Sequence, residues 1–168
     1  MEIKTVPVGE LETNCYILVK DSECIIIDPG DDFEVIKKAV GKNKVIGCLV
    51  THFHFDHIGA LEEVTSYYDV EINKEKYGHF NYETIETPGH TFDSKTFYFK
   101  EINTMFTGDF IFKSSIGRTD LGGNDKDMID SLENFKQYDD DITIYPGHGP
   151  KTTLGQEKIN FIFYYKGP

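Results

Sequence analysis

The sequence predicts a mixed α/β (α+β) fold in a single compact domain spanning residues 1–168. Three observations predict it: short apolar or alternating runs bounded by turn residues, amphipathic stretches at helical spacing between them, and a recurrence of this pattern in the second half. Strands are expected at 3–8, 14–20 and 24–28, separated by Gly9-Glu10 and Asp21-Ser22. Pro29-Gly30 then breaks the chain, and Asp31 or Asp32 can cap a short helix with Phe33, Ile36 and Val40 on its apolar face. A buried strand follows at 45–51, then a helix from about 56 to 68 with Ile58, Leu61, Val64 and Tyr68 inward. In the second half, strands fit 70–73, 82–87, 95–100 and 104–108. The stretch 113–125, rich in Gly, Ser and Asp, reads as a loop. Met128, Ile129, Leu132 and Phe135 mark a second amphipathic helix, and 142–145 a last strand closed by Pro146-Gly147. Two similar halves of this kind suggest sheet packed on sheet with helices outside.

The composition narrows the function. Apolar residues make up 39%, with Phe 13 and Tyr 10, as in a soluble globular protein. A formal net charge of −12 disfavours nonspecific binding to nucleic acid or anionic lipid, so no nucleic-acid or membrane partner is expected, and the oligomeric state is left open. The segment Met1-Glu2-Ile3-Lys4-Thr5-Val6-Pro7 lacks the apolar run of a signal peptide, and no stretch is long enough to span a bilayer. Cys15, Cys24 and Cys48 lack metal-type spacing and read as buried free thiols in a reducing compartment. A cytoplasmic location is therefore expected.

The chemistry concentrates in His52-Phe53-His54-Phe55-Asp56-His57. Zinc and similar ions take His nitrogen and carboxylate oxygen when thiolate is absent. In an extended stretch positions 52 and 54 point to the same side, while Asp56 and His57 fall where the chain turns into a helix. One short loop can thus serve two metals. That leaves the site short of ligands, and further candidates stand at similar strand ends: His90 in Pro88-Gly89-His90-Thr91, Asp109 in Thr107-Gly108-Asp109, and His148 in Pro146-Gly147-His148-Gly149. Each follows a Gly, which lets the backbone turn and approach closely. His79, in Tyr77-Gly78-His79-Phe80, has no partner motif and reads as an exposed or locally bonded residue.

These motifs, with Asp28-Pro29-Gly30, resemble the metallo-β-lactamase superfamily over nearly the whole chain. The resemblance implies an αββα sandwich with metals at the edge between its sheets. It implies that His52, His54 and His90 hold one metal, that Asp56, His57 and His148 hold a second, and that Asp109 bridges both. Asp28 resembles the family's aspartate near the site, which orients a ligand loop; a turn-forming Asp before Pro-Gly explains it equally well. The commonest zinc β-lactamases place Cys where this chain has Asp109, flavodiiron proteins place Glu where it has His54, and β-CASP nucleases need a large inserted domain.

The compact glyoxalase II-like branch is the nearer match, through Gly108-Asp109-Phe110-Ile111-Phe112, Ser115-Ile116-Gly117-Arg118-Thr119-Asp120-Leu121, and Pro146-Gly147-His148-Gly149-Pro150 with Glu157 and Asn160. It implies hydrolysis of S-2-hydroxyacylglutathione thioesters by a metal-bridging hydroxide that Asp56 orients. Two divalent ions are implied, zinc first, with iron or manganese as alternatives. No counterpart of the glutathione-binding helical domain of full-length glyoxalase II is expected within these residues, the segment between His57 and His90 is shorter than usual, and Phe161 stands where the group usually has Pro. Arg118 and Lys113 could meet a substrate carboxylate, although Arg118 can equally pair with Asp120. The aromatic tail Phe161, Phe163, Tyr164 and Tyr165 is expected to pack against the sheet or a second subunit. The competing readings are a persulfide dioxygenase with one iron, a phosphodiester or lactone hydrolase, and a metal-binding module without activity.

Overall fold

The computed structural model describes residues 1–164; Tyr165 lies outside them. The chain falls into two compact units, Met1–Tyr82 and Glu83–Pro168.

The first unit runs β1 (Glu2–Val8), β2 (Thr13–Lys20), β3 (Glu23–Ile27), α1 (Phe33–Val40), β4 (Lys44–Leu49), α2 (Phe55–Ile58) and α3 (Leu61–Tyr68). Its sheet has the order β1-β2-β3-β4, with β3 and β4 parallel and the other pairs antiparallel. Ile25, Ile26 and Ile27 are all buried, as expected of a strand covered on both faces. Cys15, Ile17, Cys24, Ile26, Ile36, Val40 and Val64 form its core. The parallel β3–β4 pair matters for function, because it delivers the ends of both strands to one edge. There the Asp28 N–H donates to the Leu49 carbonyl at 3.0 Å.

Three expectations are corrected here. Asp32 stands at the N-cap of α1 with a left-handed backbone (φ 51°), but its side chain does not cap the helix; it accepts from the Gly9 N–H at 2.9 Å. The helix expected over 56–68 is broken into α2 and α3. Gly59 packs so closely that a Cβ would lie 2.2 Å from the Gly30 carbonyl oxygen, and Ala60 donates to Pro29 instead of continuing the turn. Tertiary contact thus overrides helical periodicity. No strand forms at 70–73; only a single bridge pairs Cys48 with Ile72. Beyond that bridge the Asn73 side chain takes both Val50 backbone groups, accepting from the N–H at 2.8 Å and donating to the carbonyl at 3.2 Å, while the Tyr77 hydroxyl adds to the Cys48 and Glu71 carbonyls that backbone N–H groups already reach.

The second unit runs β5 (Glu83–Glu86), β6 (Lys95–Phe99), β7 (Thr104–Gly108), β8 (Ile111–Phe112), β9 (Ser115–Ile116), α4 (Asp125–Phe135), β10 (Thr143–Pro146), β11 (Thr152–Thr153) and α5 (Leu154–Tyr164). Its sheet has the order β11-β10-β7-β6-β5, with β7 and β10 parallel. Asn124 caps α4 by accepting from the Asp127 N–H, and Met128, Leu132 and Phe135 are buried. The expected loop at 113–125 contains β9 and the first residue of α4. Helix α5 was not anticipated: its buried stripe is Leu154, Glu157 and Phe161, and a charged residue inside that stripe disguises the period. Phe161 packs in the core of this unit, whereas Phe163 is exposed.

All three cysteines are free and buried. Burial pushes the Cys24 thiol up to about 11 and raises Cys15 and Cys48 as well, so they stay protonated at neutral pH. Among the described residues no helix is long and apolar enough to cross a membrane.

Candidate metal centre

In the first unit the histidine segment leaves β4 extended and enters α2. His54 is the N-cap residue (φ −67°, ψ 146°), and Asp56 and His57 sit in the helical turn. The rings converge: His52 lies 4.8 Å from His54 and 4.1 Å from His57 between centroids. His52 offers a ring nitrogen within 4.8 Å of one from each of these two histidines. The Nε2 of His57 stands 3.6 Å from Asp56 Oδ2. This is longer than a hydrogen bond, and it matches two donors about 2.1 Å from one cation at a tetrahedral angle, which lie roughly 3.4 Å apart.

Asp28 holds this arrangement. It is buried and left-handed (φ 52°), a conformation that Asp tolerates better than most residues. Its Oδ1 accepts from the Thr51 N–H at 2.7 Å. Its Oδ2 accepts from the Thr51 hydroxyl at 2.6 Å and faces His57 Nδ1 at 2.9 Å. The Thr51 hydroxyl gives its only proton to Asp28, so it accepts from His52 Nδ1, 3.1 Å away. One carboxylate therefore orients His57 directly and His52 through Thr51, and leaves the Nε2 of His57 as the donor. Asp28 stands where the chain turns into Pro29-Gly30, and its side chain reaches Thr51 and His57. The structure adds Thr13, whose hydroxyl donates to Asp56 Oδ2 at 2.9 Å. Neither Thr51 nor Thr13 carries a sequence signal of its own beyond adjacency to His52 in the first case.

In the second unit the candidates come from separate strand ends. His90 follows β5, Asp109 follows β7 directly and His148 follows β10. The parallel β7–β10 pairing sets Asp109 beside His148, and the Gly147 N–H donates to the Gly108 carbonyl at 2.8 Å. Asp109 Oδ2 stands 3.6 Å from His90 Nε2 and 3.6 Å from His148 Nε2. His90 Nδ1–H donates to the Arg118 carbonyl at 2.6 Å, which again presents Nε2. Gly117 makes this possible by close approach: a Cβ there would lie 1.8 Å from the Asp109 carbonyl oxygen and 3.1 Å from His90 Nδ1. The β8–β9 hairpin feeding this loop is anchored by buried Glu157, which accepts from the Ser114 N–H at 2.7 Å.

The Arg118 guanidinium forms a bidentate pair with Asp120 (2.6 Å at each contact), and both side chains are exposed. That pairing pulls the Asp120 carboxyl down to about 2. Lys113 is exposed. His79 is half-buried, with Nε2 at 3.2 Å from the carbonyl of Lys20, a partner distant in sequence rather than a local one.

The family model of the metallo-beta-lactamase superfamily matches residues 8–82 and 74–148. The chain is similar to the probable metallo-hydrolase YqgX of Bacillus subtilis, at 30% identity over 200 residues, spanning 94% of this chain and 95% of that protein. It is 31% identical over 204 residues to hydroxyacylglutathione hydrolase GloC of Haemophilus influenzae, spanning 94% and 95%. Among solved structures it is similar to BLEG-1, described as a B3 metallo-beta-lactamase, with a TM-score of 0.90, 29% identity, and 97% and 99% of the two chains covered. The mixed α/β fold with two sheets expected from the sequence is thus the fold of these proteins.

Proposed function

Because the chain belongs to the metallo-β-lactamase superfamily and is a metal-dependent hydrolase, we propose that it hydrolyses thioesters of the S-2-hydroxyacylglutathione class at a two-metal centre. The observation carrying this reading is the single Asp109 oxygen poised 3.6 Å from both His90 and His148, the spacing of a carboxylate that shares cations with its neighbours. The ligand assignment follows the resemblance: His52, His54 and His90 for one ion, Asp56, His57 and His148 for the other, Asp109 between. Imidazole nitrogens and carboxylate oxygens without thiolate suit zinc, with iron and manganese next. When bound, such ions polarise a carbonyl and lower the pKa of water.

The chain's own groups do the rest. Asp56 accepts from Thr13 at Oδ2, which fixes its carboxylate plane so that it can accept a hydrogen bond from the attacking water. Asp28 and the Arg118 carbonyl each hold an Nδ1 proton, so His57 and His90 keep Nε2 as donor. The acidic balance disfavours nucleic acid and anionic lipid and leaves a small-molecule substrate, and the three buried free cysteines fit a reducing, cytoplasmic setting.

A second reading, β-lactam hydrolysis, is favoured by the likeness to BLEG-1. The test is a hydrolysis screen of S-lactoylglutathione beside a cephalosporin, a lactone and a cyclic nucleotide, with metal analysis on the same sample and oxygen uptake followed with glutathione persulfide. The expected result is about two equivalents of metal and thioester turnover above the rest. Turnover of the β-lactam alone, or oxygen uptake without thioester hydrolysis, sinks the thioesterase reading.

A further inference from the structure

A cavity of about 540 Å³ opens in the first unit beside Asp56. Val8 and Leu11 line it from β1 and the turn after it, and Phe55 from the start of α2. Leu11 and Phe55 are 54% and 74% exposed, large apolar side chains held next to a candidate ligand carboxylate. An occupant that covered them would be favoured by removal of apolar area from water. The charged residues in the lining are Glu10, Asp31 and Asp56, all acidic. The turn is fixed in place: Asp32 accepts from the Gly9 N–H, and Glu12 N–H donates to the Gly9 carbonyl at 3.2 Å.

Resting on the thioester reading, we propose that this cavity receives the acyl group of the substrate and selects uncharged, apolar acyl chains over those ending in a carboxylate. The other end of such a thioester, glutathione, carries two carboxylates, and an apolar cavity rimmed by acids repels it. The acyl group is attached directly to the carbonyl under attack, so it must lie next to the groups that orient the water. Asp56 is one of these and is also a wall of the cavity. Glu10 and Asp31 therefore act as specificity residues by repulsion, and Leu11 and Phe55 by contact.

The test uses the metal-loaded full-length protein and compares kcat/KM for S-lactoyl-, S-mandeloyl- and S-succinylglutathione. The parent is expected to rank mandeloyl first and succinyl last. Phe55→Ala should lower the mandeloyl-to-lactoyl ratio about tenfold, and Glu10→Lys with Asp31→Lys should raise succinyl relative to lactoyl about fivefold. Ratios unchanged in both variants overturn the inference, as does a shift in preference between glutathione and N-acetylcysteamine thioesters with acyl preference intact. If no thioester turns over, the thioester reading falls by itself, and the cavity is then read by binding. Mandelamide should perturb the amide resonances of Leu11 and Gly59 in the parent but not in Phe55→Ala, whereas mandelate should perturb neither protein. Absence of the mandelamide perturbation, or equal perturbation by mandelate, overturns the proposed selectivity.

Discussion

In the first unit the candidate ligands are neighbours in sequence, and two of them share one side-chain support. In the second they come from three strand ends and rest on backbone. Asp28 gathers Thr51, His52 and His57 around a single buried carboxylate. His90 and Asp109 are instead brought together by a carbonyl at Arg118 and a bare α-carbon at Gly117. The difference teaches where each half is vulnerable: the first to loss of a functional group, the second to gain of volume.

The largest expected effect is therefore Asp28→Ala. It strands the Thr51 amide, the Thr51 hydroxyl and a buried imidazole, at a cost of about 3 kcal/mol or more, and metal affinity and activity should fall about 100-fold. Urea unfolding and metal analysis would read both. Gly117→Ala should be milder in stability yet still lower activity about tenfold, because its methyl group must displace the Asp109 carbonyl or the His90 ring. Retention of full activity and metal content in that variant would break the contrast between the units. The smallest effect belongs to Arg118→Ala. An exposed, solvent-screened ion pair contributes little to stability and the backbone carbonyl survives the substitution, so activity should stay within about twofold. A selective loss of kcat/KM for carboxylate-bearing substrates would instead restore the guanidinium as a substrate contact.

The same contrast explains what was legible in the sequence. The segment 52–57 announces itself because its donors are a strand end and a helical turn apart, a local pattern. His90, Asp109 and His148 could be nominated by their Gly-preceded strand ends, but only strand order sets two of them together, and the parallel β7–β10 pair is a long-range fact. Helix 56–68 looked continuous because periodicity does not register that Gly59 must pass the Gly30 carbonyl. Strand 70–73 looks plausible because nothing local says that the Asn73 side chain will take the Val50 N–H and carbonyl. Thr51 and Thr13 were invisible for the opposite reason: a threonine beside or far from a ligand is too common a residue to signal anything until its hydroxyl is seen to touch one.

Glu157 sits on α5, receives the Thr152 hydroxyl at 2.6 Å on one oxygen, and with the other holds Ser114 at the tip of the hairpin that leads to Gly117 and Arg118. The carboxy-terminal helix is thus mechanically continuous with the seat of His90. Any change that unwinds this helix would be felt at an imidazole it never touches.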